Sequence, residues 1–166
     1  MLSKKICEKT IEKELYQCFI ELERISVNVV AIACNTLHAF LEAVPQSIEL
    51  IHMIEETKKY LKKRTVNAPL VLCSTTSANK KLHRQYFTCE YANRNFQEML
   101  DKMISKITHG EELSSLSREL SINLPNKPIL LGCTEFSYLH ARYPINAEKV
   151  YDPNIIVAER LAEIFF

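Results

Sequence analysis

Two short segments carry side chains able to do chemistry at the end of a strand. VVAIACNT, residues 29–36, and PILLGCTE, residues 128–135, are each an apolar run closed by a small residue, a cysteine and two hydrogen-bonding side chains; Cys133 lies 99 positions after Cys34. In open parallel sheets ligands bind outside the carboxyl ends of the strands, so both thiols are expected at a sheet edge, facing one ligand from two lobes. A free thiol titrates near pH ~8.5, close enough to neutrality for thiol and thiolate both to be reached. One thiolate and one thiol can invert a stereocentre: the first removes a proton from one face of a carbon and the second delivers one to the other. Helix N-termini following each strand would favour the thiolate form through their dipoles and free N–H groups. Asn35, Thr36, Thr134 and Glu135 add groups suited to holding the carboxylate and ammonium of an amino acid.

Other readings of these residues compete. A cysteine is more often a small buried hydrophobe, and for most of Cys7, Cys18, Cys34, Cys73, Cys89 and Cys133 that is the expectation. The six are scattered with no CxxC pair, so neither a zinc site nor a disulfide framework is signalled, and reduced thiols are expected. His38, four residues beyond Cys34, could share a helical face with it, either as a metal-binding pair or as the base of a cysteine nucleophile. No third ligand is suggested, so no metal is expected, and His38 reads as a capping or site-lining residue. Glu135 reads equally as a catalytic carboxylate and as a helix cap or orienting neighbour. His52, His83, His109 and His140 show no partner pattern and read as solvated or capping.

The elements that must position these residues alternate along the chain. Ile11, Leu15, Cys18, Leu22 and Ile25 mark one face of a first helix. VNVVAIA (27–33) is an apolar, β-branched run of the kind buried on both faces of a parallel sheet. SIELI reads as a short strand, and MIEETKKYLKKR as a helix with Met53, Ile54, Thr57, Tyr60 and Leu61 inward. A strand over 70–73 ends in hydroxyls, helix signals continue to Phe87, and an extended piece spans 88–91. Phe96, Leu100, Met103 and Ile107 share a helix face that Gly110 terminates. After a short helix in EELSSLSREL, PILLG reads as the last buried strand, and Asp152 with Pro153 opens a final helix. The class is α/β with a mostly parallel sheet.

Composition narrows the partners. The 166 residues carry 21 basic and 20 acidic side chains, a formal net charge of +1, which argues against a protein that must neutralise a phosphate backbone. No run is long and apolar enough to span a membrane, and the charged N-terminus lacks the apolar core of a signal peptide. The expectation is a cytoplasmic protein with no nucleic-acid or membrane partner.

ACNTLH and LGCTEF resemble the two active-site motifs of the aspartate/glutamate racemase family, the PLP-independent amino-acid racemases. HMIEETKKYL and LVLCSTTSANKKLHRQYF are also similar to family segments in order and spacing, so the resemblance covers nearly the whole chain. It implies two pseudo-symmetric α/β lobes with the site in the cleft, no cofactor, and Cys34 and Cys133 as the two bases. By the same resemblance Asn35, Thr36 and Thr134 would contact the α-carboxylate or ammonium of the substrate. Ser77 would supply the hydroxyl of the second lobe, with Glu135 beside them. The β-α-β segment and glycine-rich turn with which family chains begin have no counterpart in this sequence, which implies a truncated first lobe over 1–66. A second lobe would span 67–152, with the helix 153–165 free to pack back on the first. A sheet edge left open in this way would be covered by the N-terminal helix or by a second copy of the chain. The resemblance thus predicts a racemase of aspartate or glutamate type; the alternative is an inactive homologue that binds a ligand or another protein.

Overall fold

The computed structural model describes residues 8–41, 45 and 47–166. Cys7 and the charged stretch before it lie outside the described residues. Six strands and seven α-helices follow one another as α1 (Glu8–Arg24), β1 (Val29–Ala31), β2 (Glu49–Ile51), α2 (Met53–Lys63), β3 (Leu70–Leu72), α3 (Thr75–Asn79), β4 (Glu90–Tyr91), α4 (Arg94–Thr108), α5 (Leu113–Asn123), β5 (Ile129–Leu131), α6 (Thr134–Arg142), β6 (Val150–Tyr151) and α7 (Pro153–Phe165). Two 3-10 turns, Thr36–Phe40 and His83–Gln85, complete the described elements.

The strands form two parallel sheets. β1 pairs with β2, Val30 opposite Leu50, and the second sheet runs in the order β4-β3-β5-β6. The all-apolar triplets of β3 and β5 lie side by side, Leu70 against Ile129 and Leu72 against Leu131, and all six residues are buried. Strands of this composition need cover on both faces. One face is covered by Leu100, Met103 and Ile107 of α4, Leu116 and Leu120 of α5, and Phe136 and Leu139 of α6. On the other, Val71, Cys73, Cys89 and Leu130 pack with Phe87, Tyr91 and Tyr151. α7 returns to the first sheet, where Val157, Leu161 and Ile164 meet Val29, Ala31, Ile51 and Met53. Asp152 caps α7 by accepting from the Asn154 N–H.

Four expectations change. The inward face of α1 centres on Phe19, while Cys18 and Ile25 are exposed; Ile11, Leu15 and Leu22 accept either neighbour in the stripe, and the larger apolar side chain takes the interior. β1 is only half-buried at all three positions, because its sheet has two strands among the described residues. The helix expected to continue to Phe87 stops at Asn79 and resumes only as a 3-10 turn, with Lys81 at a φ of 50° breaking it. PILLG is not the last strand, since β6 extends the sheet beyond β5.

Candidate functional site

Both cysteines stand just past the carboxyl ends of their strands. Cys34 follows β1 and is half-buried; Cys133 follows β5, is almost fully buried, and is the N-cap of α6 in an extended conformation. A tight turn precedes Cys133, with the Gly132 N–H donating to the Leu130 carbonyl at 3.0 Å. A side chain there would displace its neighbours: a Cβ at 132 would lie 2.5 Å from Val71 Cγ1 and 3.1 Å from Cys73 Cβ.

The two thiols occupy different environments. Cys133 Sγ donates to Glu135 Oε2 at 2.7 Å, and Thr134 Oγ1 donates to the same oxygen at 3.2 Å. The Cys133 pKa is pushed up strongly, first by burial, then by the hydrogen bond to the Glu135 carboxylate and its charge; Cys34 lies near enough to add to the rise. This reverses the expectation of a thiolate favoured by the helix dipole. The Glu135 backbone N–H at the start of α6 does pull the pKa down, but burial and the adjacent carboxylate outweigh it. At Cys34 the expected α-helix is replaced by the 3-10 turn Thr36–Phe40.

Around the first motif the polar groups are tied to other elements. Thr36 Oγ1 lies 3.1 Å from Ser74 Oγ and 3.0 Å from Ser77 Oγ, so the first motif and the hydroxyl-rich end of β3 share one cluster. Ser74 caps α3 and Ser77 is fully buried. His38 is buried with both ring nitrogens engaged: Nδ1–H donates to the Cys34 carbonyl at 2.9 Å, and Nε2 accepts from the Met53 N–H at 3.3 Å. Burial lowers its pKa to about 4. Neither nitrogen is left for the Cys34 thiol, which removes the geometry a Cys34–His38 nucleophile pair would need. His52 caps α2, contacts the His38 ring edge-on at 4.4 Å and lies 3.2 Å from Tyr86 Oη.

The structure therefore groups Thr36 with Ser77, and Cys133 with Thr134 and Glu135. Asn35 is buried and faces His83, its Oδ1 3.3 Å from His83 Nε2. His83 overturns the reading of that residue as solvated or capping, for it is 1 % exposed. The hydroxyl run STTS was visible at the end of β3, but no motif marked His83. Among the described residues no three or more His, Cys, Asp or Glu side chains cluster to hold a metal ion. A cavity of about 470 Å³ lies between α1 and the 3-10 turn, lined by Lys9, Glu12, Lys13, Leu15, Tyr16, Phe40 and Leu41, away from both cysteines.

The description of the Asp/Glu/hydantoin racemase family matches residues 7–161. The chain belongs to that family. The fold agrees across great sequence distance. An aspartate racemase from Picrophilus torridus superposes with a TM-score of 0.71 at 21 % identity, covering 92 % of this chain and 68 % of that one. A glutamate racemase from Francisella tularensis, solved with D-glutamate, gives 0.72 at 18 % identity over 100 % of this chain and 68 % of the other. An aspartate racemase homologue from Pyrococcus horikoshii gives 0.66 at 22 %, covering 92 % and 73 %. Family and fold support an amino-acid racemase, an isomerase acting on a small molecule. The α/β architecture with parallel sheets is the one expected from the sequence. No helix among the described residues is long and apolar enough to cross a membrane.

Proposed function

We propose that this racemase-family chain inverts an acidic amino acid, aspartate or glutamate, by two-base proton transfer between Cys34 and Cys133. The observation that carries the reading is the inequality of two thiols at the carboxyl ends of strands in different sheets. Cys133 is held protonated, its S–H donated to Glu135, which suits it to deliver a proton. Cys34 stands in a less buried position and takes the part of the base.

In that direction the Cys34 thiolate removes the α-proton, the C–H electron pair remains on the substrate as a carbanion conjugated with its carboxylate, and the Cys133 S–H protonates the opposite face. Cys34 ends as thiol and Cys133 as thiolate. Reset requires one proton to leave Cys34 and one to reach Cys133, with Glu135 as the adjacent relay. The reverse reaction starts from that second form. Asn35, Thr36 and Ser77 serve as donors to the α-carboxylate, whose negative charge grows as the carbanion forms, and Thr134 joins them by turning its hydroxyl from Glu135. The scheme uses no cofactor.

The test is α-proton exchange. Single enantiomers of aspartate and glutamate are incubated with the protein in deuterated water, and inversion should be accompanied by deuterium at Cα. Cys34→Ser and Cys133→Ser should each stop inversion. Absence of α-deuterium with either amino acid overturns the reading.

A further inference from the structure

Two buried polar atoms beside the cysteine motifs have no hydrogen-bond partner among the described residues, Asn35 Nδ2 and His83 Nδ1. Their side chains are 2 % and 1 % exposed, and an unmade hydrogen bond at such a depth is costly enough to call for an explanation. The same two side chains meet, with His83 Nε2 3.3 Å from Asn35 Oδ1. At Cε1, the carbon between its two nitrogens, the imidazole borders the second motif: a Cβ at Gly132 would lie 3.2 Å from His83 Cε1. The ring is held from behind by Phe87, edge-on at 6.3 Å, and the His83 backbone N–H donates to Tyr91 Oη at 2.9 Å. Asn35 follows Cys34 and Gly132 precedes Cys133, so one imidazole stands between the chain neighbours of both thiols.

We infer that His83 is a positioning residue: its Nε2–H binds the Asn35 amide oxygen and so leaves the Asn35 NH2 group turned out as an unpaired donor for the carboxylate of the amino-acid substrate. Burial, with a smaller effect from His38, lowers the His83 pKa to about 4, so near neutral pH the ring carries a single N–H. Placed on Nε2, that proton satisfies Asn35 Oδ1, and the open donor is completed when an anionic group binds. Placed on Nδ1, it would be a buried donor with no acceptor, and the amide would have to turn its NH2 onto the ring and its oxygen towards an anion. The first arrangement leaves the acceptor Nδ1 unpaired, the lesser loss. The substrate named here rests on the racemase reading; the tautomer does not.

Long-range 15N–1H correlation on ring-labelled free protein reads the tautomer directly, and His83→Leu and His83→Gln read its consequence. The expected results are an Nε2–H ring and a roughly ten-fold rise in KM for aspartate or glutamate in His83→Leu, the fold-change of one hydrogen bond to a charged group. His83→Gln, whose amide can place an N–H near the Nε2 position, should largely restore KM. An Nδ1–H ring overturns the inference. So does an unchanged KM in His83→Leu, or a glutamine variant as impaired as the leucine one, since a filling role would not distinguish them. Should His83→Leu fail to fold, the tautomer and the glutamine variant decide. Should the wild-type protein exchange no α-proton, the racemase reading falls, and the tautomer alone decides for or against His83.

Discussion

Replacing Glu135 by glutamine should make Cys133 a stronger acid. The Cys133 pKa is raised first by burial, which the substitution leaves in place, and next by the Glu135 carboxylate 2.7 Å from the sulfur. At an effective dielectric constant of about 20, two unit charges some 4 Å apart repel by about 4 kcal/mol, equivalent to about 3 pH units. Glu135 is only half-buried, so solvent screening removes much of this, and a fall of at least about one unit is the working expectation. Glutamine also keeps the length of the side chain, so packing around α6 is little disturbed. The measurement is alkylation by iodoacetamide as a function of pH, followed on the Cys133 peptide by mass spectrometry, because only the thiolate reacts. Exposed Cys18 is the internal control and should keep its profile. A Cys133 profile that stays put or moves to higher pH in Glu135→Gln refutes the account of the raised pKa. Kinetic asymmetry is not a substitute readout: free L and D amino acids are equal in free energy, so kcat/KM must remain equal in the two directions.

Stability should depend on pH from both sides. His38 and His83 are moved from an ordinary 6.5 to about 4, and His52 in the same direction, chiefly by burial; the unfolded chain therefore binds more protons below pH 6.5. Their contribution is complete above that value and is lost as pH falls towards 4, on the order of 5 kcal/mol for His38 and His83 together. Cys73, raised to about 12 by burial, and Cys133, also raised, contribute below the ordinary thiol range, and their share declines as pH climbs past about 8.5. A thermal midpoint that is flat between pH 7 and 4 would contradict the burial of the histidines. Gly132→Ala should cost about 2 kcal/mol by overpacking, a fall of about 6 °C in thermal midpoint, because its Cβ would sit 2.5 Å from Val71 Cγ1. Gly110→Ala meets nothing within 4 Å and is strained only by a φ of 76°, so it should cost about 1 kcal/mol; equal losses would argue against the tight turn before Cys133.

The parts of this molecule that could be read from sequence are those that repeat a physical period. Leu70–Leu72 and Ile129–Leu131 are buried on both faces and announce it by being apolar throughout, and the α4 face through Leu100, Met103 and Ile107 follows from its spacing. The paired motifs were legible for a related reason, since an apolar strand has no use for a thiol and two hydrogen-bonding groups at its end unless something outside the strand needs them. What could not be read depends on contacts distant in the chain or on elements too short to have a period. β6 contributes two residues to its sheet, and no pattern exists in two residues. Phe19 displaced Cys18 from the α1 interior because helical spacing permits both. The role of His83 is set by Asn35, 48 positions earlier, and nothing in LHRQY hints at it.

The rise in the Cys133 pKa has a consequence for how a two-thiol site must run. In the two-base scheme the protein exists in two protonation forms, each able to accept one enantiomer, and both thiols close an apolar strand. Their surroundings differ: Cys133 donates its S–H in a hydrogen bond to a carboxylate at the head of the nine-residue α6, whereas the Cys34 backbone is clamped by His38 to the start of α2. In the two-base scheme the form with thiol at Cys133 is therefore the lower in free energy, and the other must be regenerated against that gradient in each turnover of the reverse reaction. Since kcat/KM is tied to be equal in both directions, the inequality can surface only as a matched difference in kcat and KM between the enantiomers. In that scheme the half-buried carboxylate neighbour of Cys133 biases which enantiomer the resting protein binds, without altering the equilibrium.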